Sequence, residues 1–263
     1  MTGPLAGRRL LVTRPRPHPL RRDNAPVFAV LSTLGADVVE VPAIAIAPPE
    51  DAGPFDAALR GLESYEWIVF ASGNAVYAVR DRLVSLSVDI SAFPRVASVG
   101  AATTRAFASC FADVGVAVEP ATNFRAEGLL DAFASHDLAG RRVLLPTSDR
   151  GRPVLPDGLR ARGAVVDVVV AYRTIVPEGL ERTLAEGLSG AVDAAVFASP
   201  SAVQAFAEAL PEFTSPPPAI VIGPTTEAAA RAAGFSVLAV ASPSTTEGLV
   251  EAIIRALGRS HPL

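Results

Sequence analysis

A chain of 263 residues, half of them hydrophobic, can bury one large core or two smaller ones. Its formal net charge of −4 argues against a general nucleic-acid surface. All 23 basic residues are arginine, which excludes a Schiff-base or P-loop lysine and suits carboxylate or phosphate partners.

Residues 9–13 (RLLVT) read as a first buried strand, ended by Arg14-Pro15-Arg16-Pro17 because proline cannot continue a ladder. A short helix over 27–34 closes at Gly35, a left-handed cap. Residues 37–41 and 43–46 are extended and interrupted by Pro42, and Pro48-Pro49 marks a turn. An amphipathic helix over 55–62 leads to a strand at 67–70, the turn Ser72-Gly73-Asn74 and a helix over 75–84. A strand at 95–99, helices over 103–111 and 127–133, and a short strand at 116–118 between them follow. After a polar seam at 136–140 come a strand at 142–145, a turn at 148–152, and a helix over 155–162 closed by Gly163. The apolar segment 165–172 then ends in Tyr172. A helix over 179–188 precedes two strand–turn–helix units at 194–234, a strand at 236–240 and a last helix over 246–257.

The one cysteine, Cys110, precludes an intrachain disulfide and reads as a small buried hydrophobe on a helix. His18, His136 and His261 lack ligand spacing, so no metal site is expected. No signal peptide is recognisable and no apolar run could span a membrane, so the expected location is the cytoplasm.

The chain repeats itself. Trp67 to Val76 matches Ala194 to Val203, Val96 to Thr103 matches Ala219 to Thr226, and Glu127-Gly128-Leu129 matches Glu247-Gly248-Leu249. Strands alternating with helices imply parallel sheets with right-handed crossovers. The expected architecture is therefore α/β, with two flavodoxin-like parallel-sheet domains of five strands each, arising by duplication.

In such sheets ligands bind at the carboxyl ends of strands, where hydroxyls and free helix N–H groups gather. Ser72, Asn74, Ser199 and Ser201 lie at such turns, and Thr103, Thr225 and Thr226 carry the same argument. Ordinary helix capping explains any one of them, but four related turns line one cleft if the halves face each other. No G-x-S-x-G elbow or G-x-G-x-x-G follows a strand, so hydrolase and dinucleotide readings are poorly supported. Tyr172 reads either as a strand-end core residue with a wet hydroxyl or as a proton donor for the cleft. Arg14, Arg150 and Arg152 follow first strands, where solvated charge is the plain reading, and Asp149-Arg150 could be a local ion pair.

Taken in order, Val12-Thr13-Arg14-Pro15, Phe70-Ala71-Ser72-Gly73-Asn74-Ala75-Val76, Val99-Gly100 with Thr103, and Tyr172-Arg173-Thr174 resemble uroporphyrinogen-III synthase. So do Phe197-Ala198-Ser199-Pro200-Ser201, Ile222-Gly223-Pro224-Thr225-Thr226 and Glu247-Gly248-Leu249, so that the likeness covers nearly the whole chain. It departs from that family at 14–27, which is longer and richer in proline and arginine, with His18 near the usual place of a glutamine. The resemblance implies a discontinuous domain of residues 1–40 plus 175–263, an inserted domain of 44–171, and extended connectors near 41–43 and 172–174. Domains so joined are expected to hinge.

The reaction it implies closes linear hydroxymethylbilane, an octacarboxylate, into uroporphyrinogen III, with loss of water and inversion of ring D. It uses no cofactor and no metal. Tyr172 matches the family's tyrosine, a mild acid for the departing hydroxyl. The substrate contacts expected are Arg14, Ser72, Asn74, Gly100, Thr103, Ser148, Arg150, Ser199, Ser201, Thr225 and Thr226. A monomer is expected, with hydroxymethylbilane and the preceding pathway enzyme as partners and no nucleic acid or membrane. The competing reading is a non-catalytic tetrapyrrole- or polyanion-binding module of the same fold. A hinged periplasmic-type binding protein is weaker, since it needs export.

Overall fold

The structure is a computed structural model that describes residues 3–14, 18, 27–89 and 93–258. In chain order its elements are β1 (Arg9–Val12), α1 (Val27–Thr33), β2 (Asp37–Glu40), β3 (Ala45–Ala47), α2 (Gly53–Arg60), β4 (Trp67–Phe70) and α3 (Gly73–Leu86). There follow β5 (Arg95–Ser98), α4 (Ala101–Cys110), β6 (Val116–Val118), α5 (Ala126–Ala132), β7 (Arg142–Ser148), α6 (Val154–Ala161) and β8 (Val165–Ile175). The last are α7 (Leu180–Gly187), β9 (Ala194–Phe197), α8 (Pro200–Glu208), β10 (Ala219–Val221), α9 (Pro224–Ala232), β11 (Val237–Val240) and α10 (Thr246–Leu257).

The chain forms two compact units. Unit 1 takes both ends of the chain, up to Ala45 and from Ile175 onward; unit 2 takes Ile46–Thr174 together with His18. The sheet of unit 1 has the order β11-β10-β9-β1-β2, and its pairs are parallel. Read from the other edge, that is the flavodoxin order 2-1-3-4-5 in the unit's own strand sequence. The sheet of unit 2 runs β3-β8-β7-β4-β5-β6. Its last five strands keep the same spatial order, but the first pair, β7 and β8, comes last in the chain. Unit 2 thus has six strands rather than the five expected. The extra one, β3, arises because the extended stretch around Pro42 splits, with β2 in one sheet and β3 in the other.

Strand composition follows from this placement. The central strands β4 and β9 are buried at every residue, so WIVF and AAVF are unbroken apolar runs rather than alternating ones. Their period of two shows only in which face each side chain serves. Ala195 and Phe197 pack with α7 and α8, whereas Ala194 and Val196 pack with α1 and α10. In unit 2, Ile68 and Phe70 join the cluster of α2, α3 and α4, and Trp67 and Val69 that of α5 and α6.

The repeated Glu-Gly-Leu has a steric reason. A Cβ on Gly128 would lie 1.9 Å from the Asn123 carbonyl oxygen, and one on Gly248 would lie 2.2 Å from that of Pro243. Each helix begins with the preceding loop pressed against its backbone. Cys110 is partly buried and burial pushes its thiol up, as suits a packing residue. Among the described residues, no helix is long and apolar enough to cross a membrane, and no group of three His, Cys, Asp or Glu could hold a metal ion.

Candidate active site

Ser72 is the N-cap of α3. Its backbone is extended, at φ −161 and ψ 153, and its Oγ accepts the Ala75 N–H at 3.2 Å. The same Oγ lies 3.0 Å from the Tyr172 hydroxyl. Tyr172 reaches it because of a slip in the β7–β8 ladder. Thr147 pairs with Val170, but the next residue, Ser148, pairs with Tyr172. The skipped residue, Ala171, turns Tyr172 onto its own side of the sheet, so two consecutive residues join the cluster under α3. The ring is 9% exposed, so burial locks its position.

The backbone of Tyr172 is held from both sides. Its carbonyl accepts the Asp149 N–H at 3.2 Å, and the Asp149 carboxylate accepts the Thr174 N–H at 3.4 Å. Arg173 donates from Nε to the Pro48 carbonyl at 3.1 Å and pairs with Glu50. Asp149 therefore braces the end of β8, and among the described residues it makes no ion pair with Arg150. Ser148 closes β7 and accepts the Arg150 N–H at 3.3 Å. The Arg150 guanidinium is exposed and has no partner among the described residues. Asn74 is half-buried in the first turn of α3. Gly100 is the N-cap of α4 and Thr103, 5% exposed, lies inside that helix.

These groups sit at the carboxyl ends of β4, β5, β7 and β8. The β7–β4 boundary is where the strand order of unit 2 reverses, the place where open α/β sheets bind ligands. Unit 1 carries its own set at its reversal point, between β9 and β1. There Arg14 donates from Nη1 to the Thr246 hydroxyl at 3.1 Å, and Ser199 caps α8 by accepting the Ala202 N–H at 3.2 Å. Ser201 lies in the first turn of α8. Thr225 is exposed in α9, whereas Thr226 is 1% exposed and faces the core.

Thr245 and Thr246 were not among the residues singled out from the sequence. Thr245 caps α10 by accepting the Gly248 N–H at 3.1 Å, and Thr246 receives Arg14. The hydroxyl run Ser244-Thr245-Thr246 before an apolar periodic stretch is the signal that marks them. Most of the proline-rich turn, residues 15–17 and 19–26, and His261 lie outside the described residues. His18 stacks on Tyr77 at 4.4 Å between ring centroids, and its Nε2 is 2.8 Å from an Asp81 carboxylate oxygen.

The sequence profile of the family described as uroporphyrinogen-III synthase HemD matches residues 27–251. The chain belongs to the uroporphyrinogen-III synthase family. The uroporphyrinogen-III synthase of Synechococcus elongatus is 34% identical over 176 residues, 66% of this chain and 63% of that one. The match thus spans less than two thirds of that relative's length. The porphyrin biosynthesis protein HemD of Ruminiclostridium josui is 24% identical over 97% of this chain and 49% of its own. Among solved structures, a mutant uroporphyrinogen III synthase from the extreme thermophile Thermus thermophilus superposes with a TM-score of 0.60 at 21% identity, covering 95% of this chain and 98% of that one. That likeness places both units in the uroporphyrinogen-III synthase fold.

Proposed function

We propose that this protein cyclises hydroxymethylbilane to uroporphyrinogen III, with inversion of ring D and loss of water, in tetrapyrrole (haem) biosynthesis. It does so as a cytoplasmic monomer supplied by the preceding pathway enzyme. Family membership supports the substrate, and the observation that carries the chemistry is the Tyr172 hydroxyl, held 3.0 Å from Ser72 at the amino end of α3. The carbon–oxygen bond of the hydroxymethyl group breaks with its electron pair on oxygen. That oxygen takes the Tyr172 proton and leaves as water, while the pyrrole nitrogen's lone pair supports the carbon left behind. The ring D carbon that already carries the bridging methylene then attacks. Its older bond to that methylene breaks, with the electron pair returning to ring D. The freed methylene carbon, supported by the neighbouring pyrrole, is attacked by the other α carbon of ring D. That carbon loses the proton that restores the phenol, and ring D is left inverted.

An electron-rich pyrrole expels the hydroxyl readily, so little acid strength is needed and the larger task is positioning. Carboxylate anchoring falls to Arg14 and Arg150 in bidentate pairs, with Asn74, Ser148, Ser201, Thr225 and the helix N-termini at Gly100 and Ser199 as lesser contacts. Thr103 and Thr226 stand outside this set, because burial withholds their side chains from a carboxylate. The test supplies purified protein with hydroxymethylbilane and separates the product isomers. Type III at a catalysed rate is expected. Type I alone at the spontaneous rate overturns the reading, and tight binding without isomer selection would indicate a non-catalytic tetrapyrrole-binding module.

A further inference from the structure

We propose that Ser72 is a positioning residue for Tyr172: its hydroxyl donates to the phenol oxygen and thereby turns the phenol proton outward. The inference rests on Tyr172 being the proton donor. The duplication supplies the comparison. Ser199 stands where Ser72 does in the other half, with φ −161 and ψ 155 against φ −161 and ψ 153. Each accepts the N–H three residues ahead at 3.2 Å. Among the described residues Ser199 makes that hydrogen bond and no other through its side chain. Capping therefore needs only an acceptor lone pair and leaves the hydroxyl proton unused. In unit 2 that spare proton has a target, the Tyr172 oxygen at 3.0 Å.

The 3.0 Å contact alone admits donation in either direction. Two effects select Ser72 as donor. The Ala75 N–H polarises the Ser72 hydroxyl, so the chain from N–H to Ser72 to Tyr172 strengthens cooperatively when every donor points the same way. That direction also carries the positive end of the 14-residue helix α3 toward the phenol oxygen. When the phenol proton goes to the departing hydroxyl, the electron pair left on the Tyr172 oxygen meets a donated hydrogen bond already in place. With the reverse arrangement the proton points into the helix and the substrate meets only a lone pair.

The experiment is a double-mutant cycle on full-length protein, with type III formation and thermal midpoint both read. Ser72→Ala is expected to lower kcat about five- to thirty-fold with KM nearly unchanged. In a Tyr172→Phe background the same change should alter kcat by less than about twofold, because the oxygen it serves is gone. Ser72→Thr, which restores the hydroxyl, should recover most of the rate. Ser72→Gly removes the hydroxyl while keeping most of the helix start, so it carries the test should the alanine variant fail to fold. Equal falls in both backgrounds, a change in KM alone, or wild-type kcat in the alanine or glycine variant overturns the positioning role. Wild-type turnover in Tyr172→Phe itself overturns the proton-donor reading, and the coupling with it.

Discussion

At the scale of single residues, one shared carboxylate ties stability to pH. Tyr65 donates to the Asp167 carboxylate at 2.8 Å, and Arg142 donates to the same carboxylate at 2.9 Å while lying 4.5 Å over the Tyr65 ring. Burial, with that carboxylate as acceptor, pushes the Tyr65 phenol up from its ordinary 10.0 to about 12. A raised value favours the protonated phenol in the folded protein. Its stabilisation is therefore complete below the ordinary value and is lost as pH rises through about 12. Asp167 moves the other way. The Tyr65 hydrogen bond above all, then Arg142, holds its carboxyl below the usual carboxylate range. Its contribution is present above the ordinary value and is lost as pH falls through the lowered one. We expect the stability difference between wild type and Tyr65→Phe, measured by urea unfolding, to be constant near neutrality and to narrow above about 10. A difference that ignores pH would show that the phenol proton has no part in it.

At the scale of elements, the helix starts decide most. Ser72, Ser199 and Thr245 each accept an N–H three residues on, so three helices begin with side-chain caps that local sequence supplies. The glycines in the Glu-Gly-Leu starts of α5 and α10 have a separate, steric reason, the loop that precedes each helix. Gly248→Ala places a methyl group 2.2 Å from the Pro243 carbonyl oxygen, and backbone must move. A loss of about 2 kcal/mol or more is expected in chemical unfolding. Gly115→Ala, with nothing within 4 Å of its added Cβ, should change stability by less than about 0.5 kcal/mol. Comparable effects at both positions would contradict the steric account.

At the scale of the molecule, connectivity separates the two units. Unit 2 is nearly a single stretch, with its own sheet and two core clusters, while unit 1 places β1 between strands from opposite ends of the chain. A fragment of residues 44–175 keeps β3 to β8 whole. We expect it to fold alone, since a core of that size can sustain a domain. Trp67, the one tryptophan and 2% exposed, reports on it through blue-shifted emission that is lost in one cooperative step on heating. Red-shifted emission and a gradual melt would mean that unit 2 depends on residues beyond the fragment.

The sequence by itself determined the alternation of strands and helices, the duplication, and the caps at Ser72 and Ser199. Each of these rests on interactions within a few residues, and α10 begins and ends where its periodicity predicts. What lay beyond it is non-local. Strict alternation along β8 sets Tyr172 opposite Ala171; the slip against β7 puts them on one face and brings the phenol to Ser72, 100 residues away. Nor does any local pattern send Arg14 to Thr246, 232 residues on, or make Asp149 a brace for β8 rather than a partner for Arg150. Helix and cap signals are written in short-range contacts and survive without the fold. Strand pairing, its slips and the side chains they aim are set when distant strands dock in one register, so only the tertiary structure decides them.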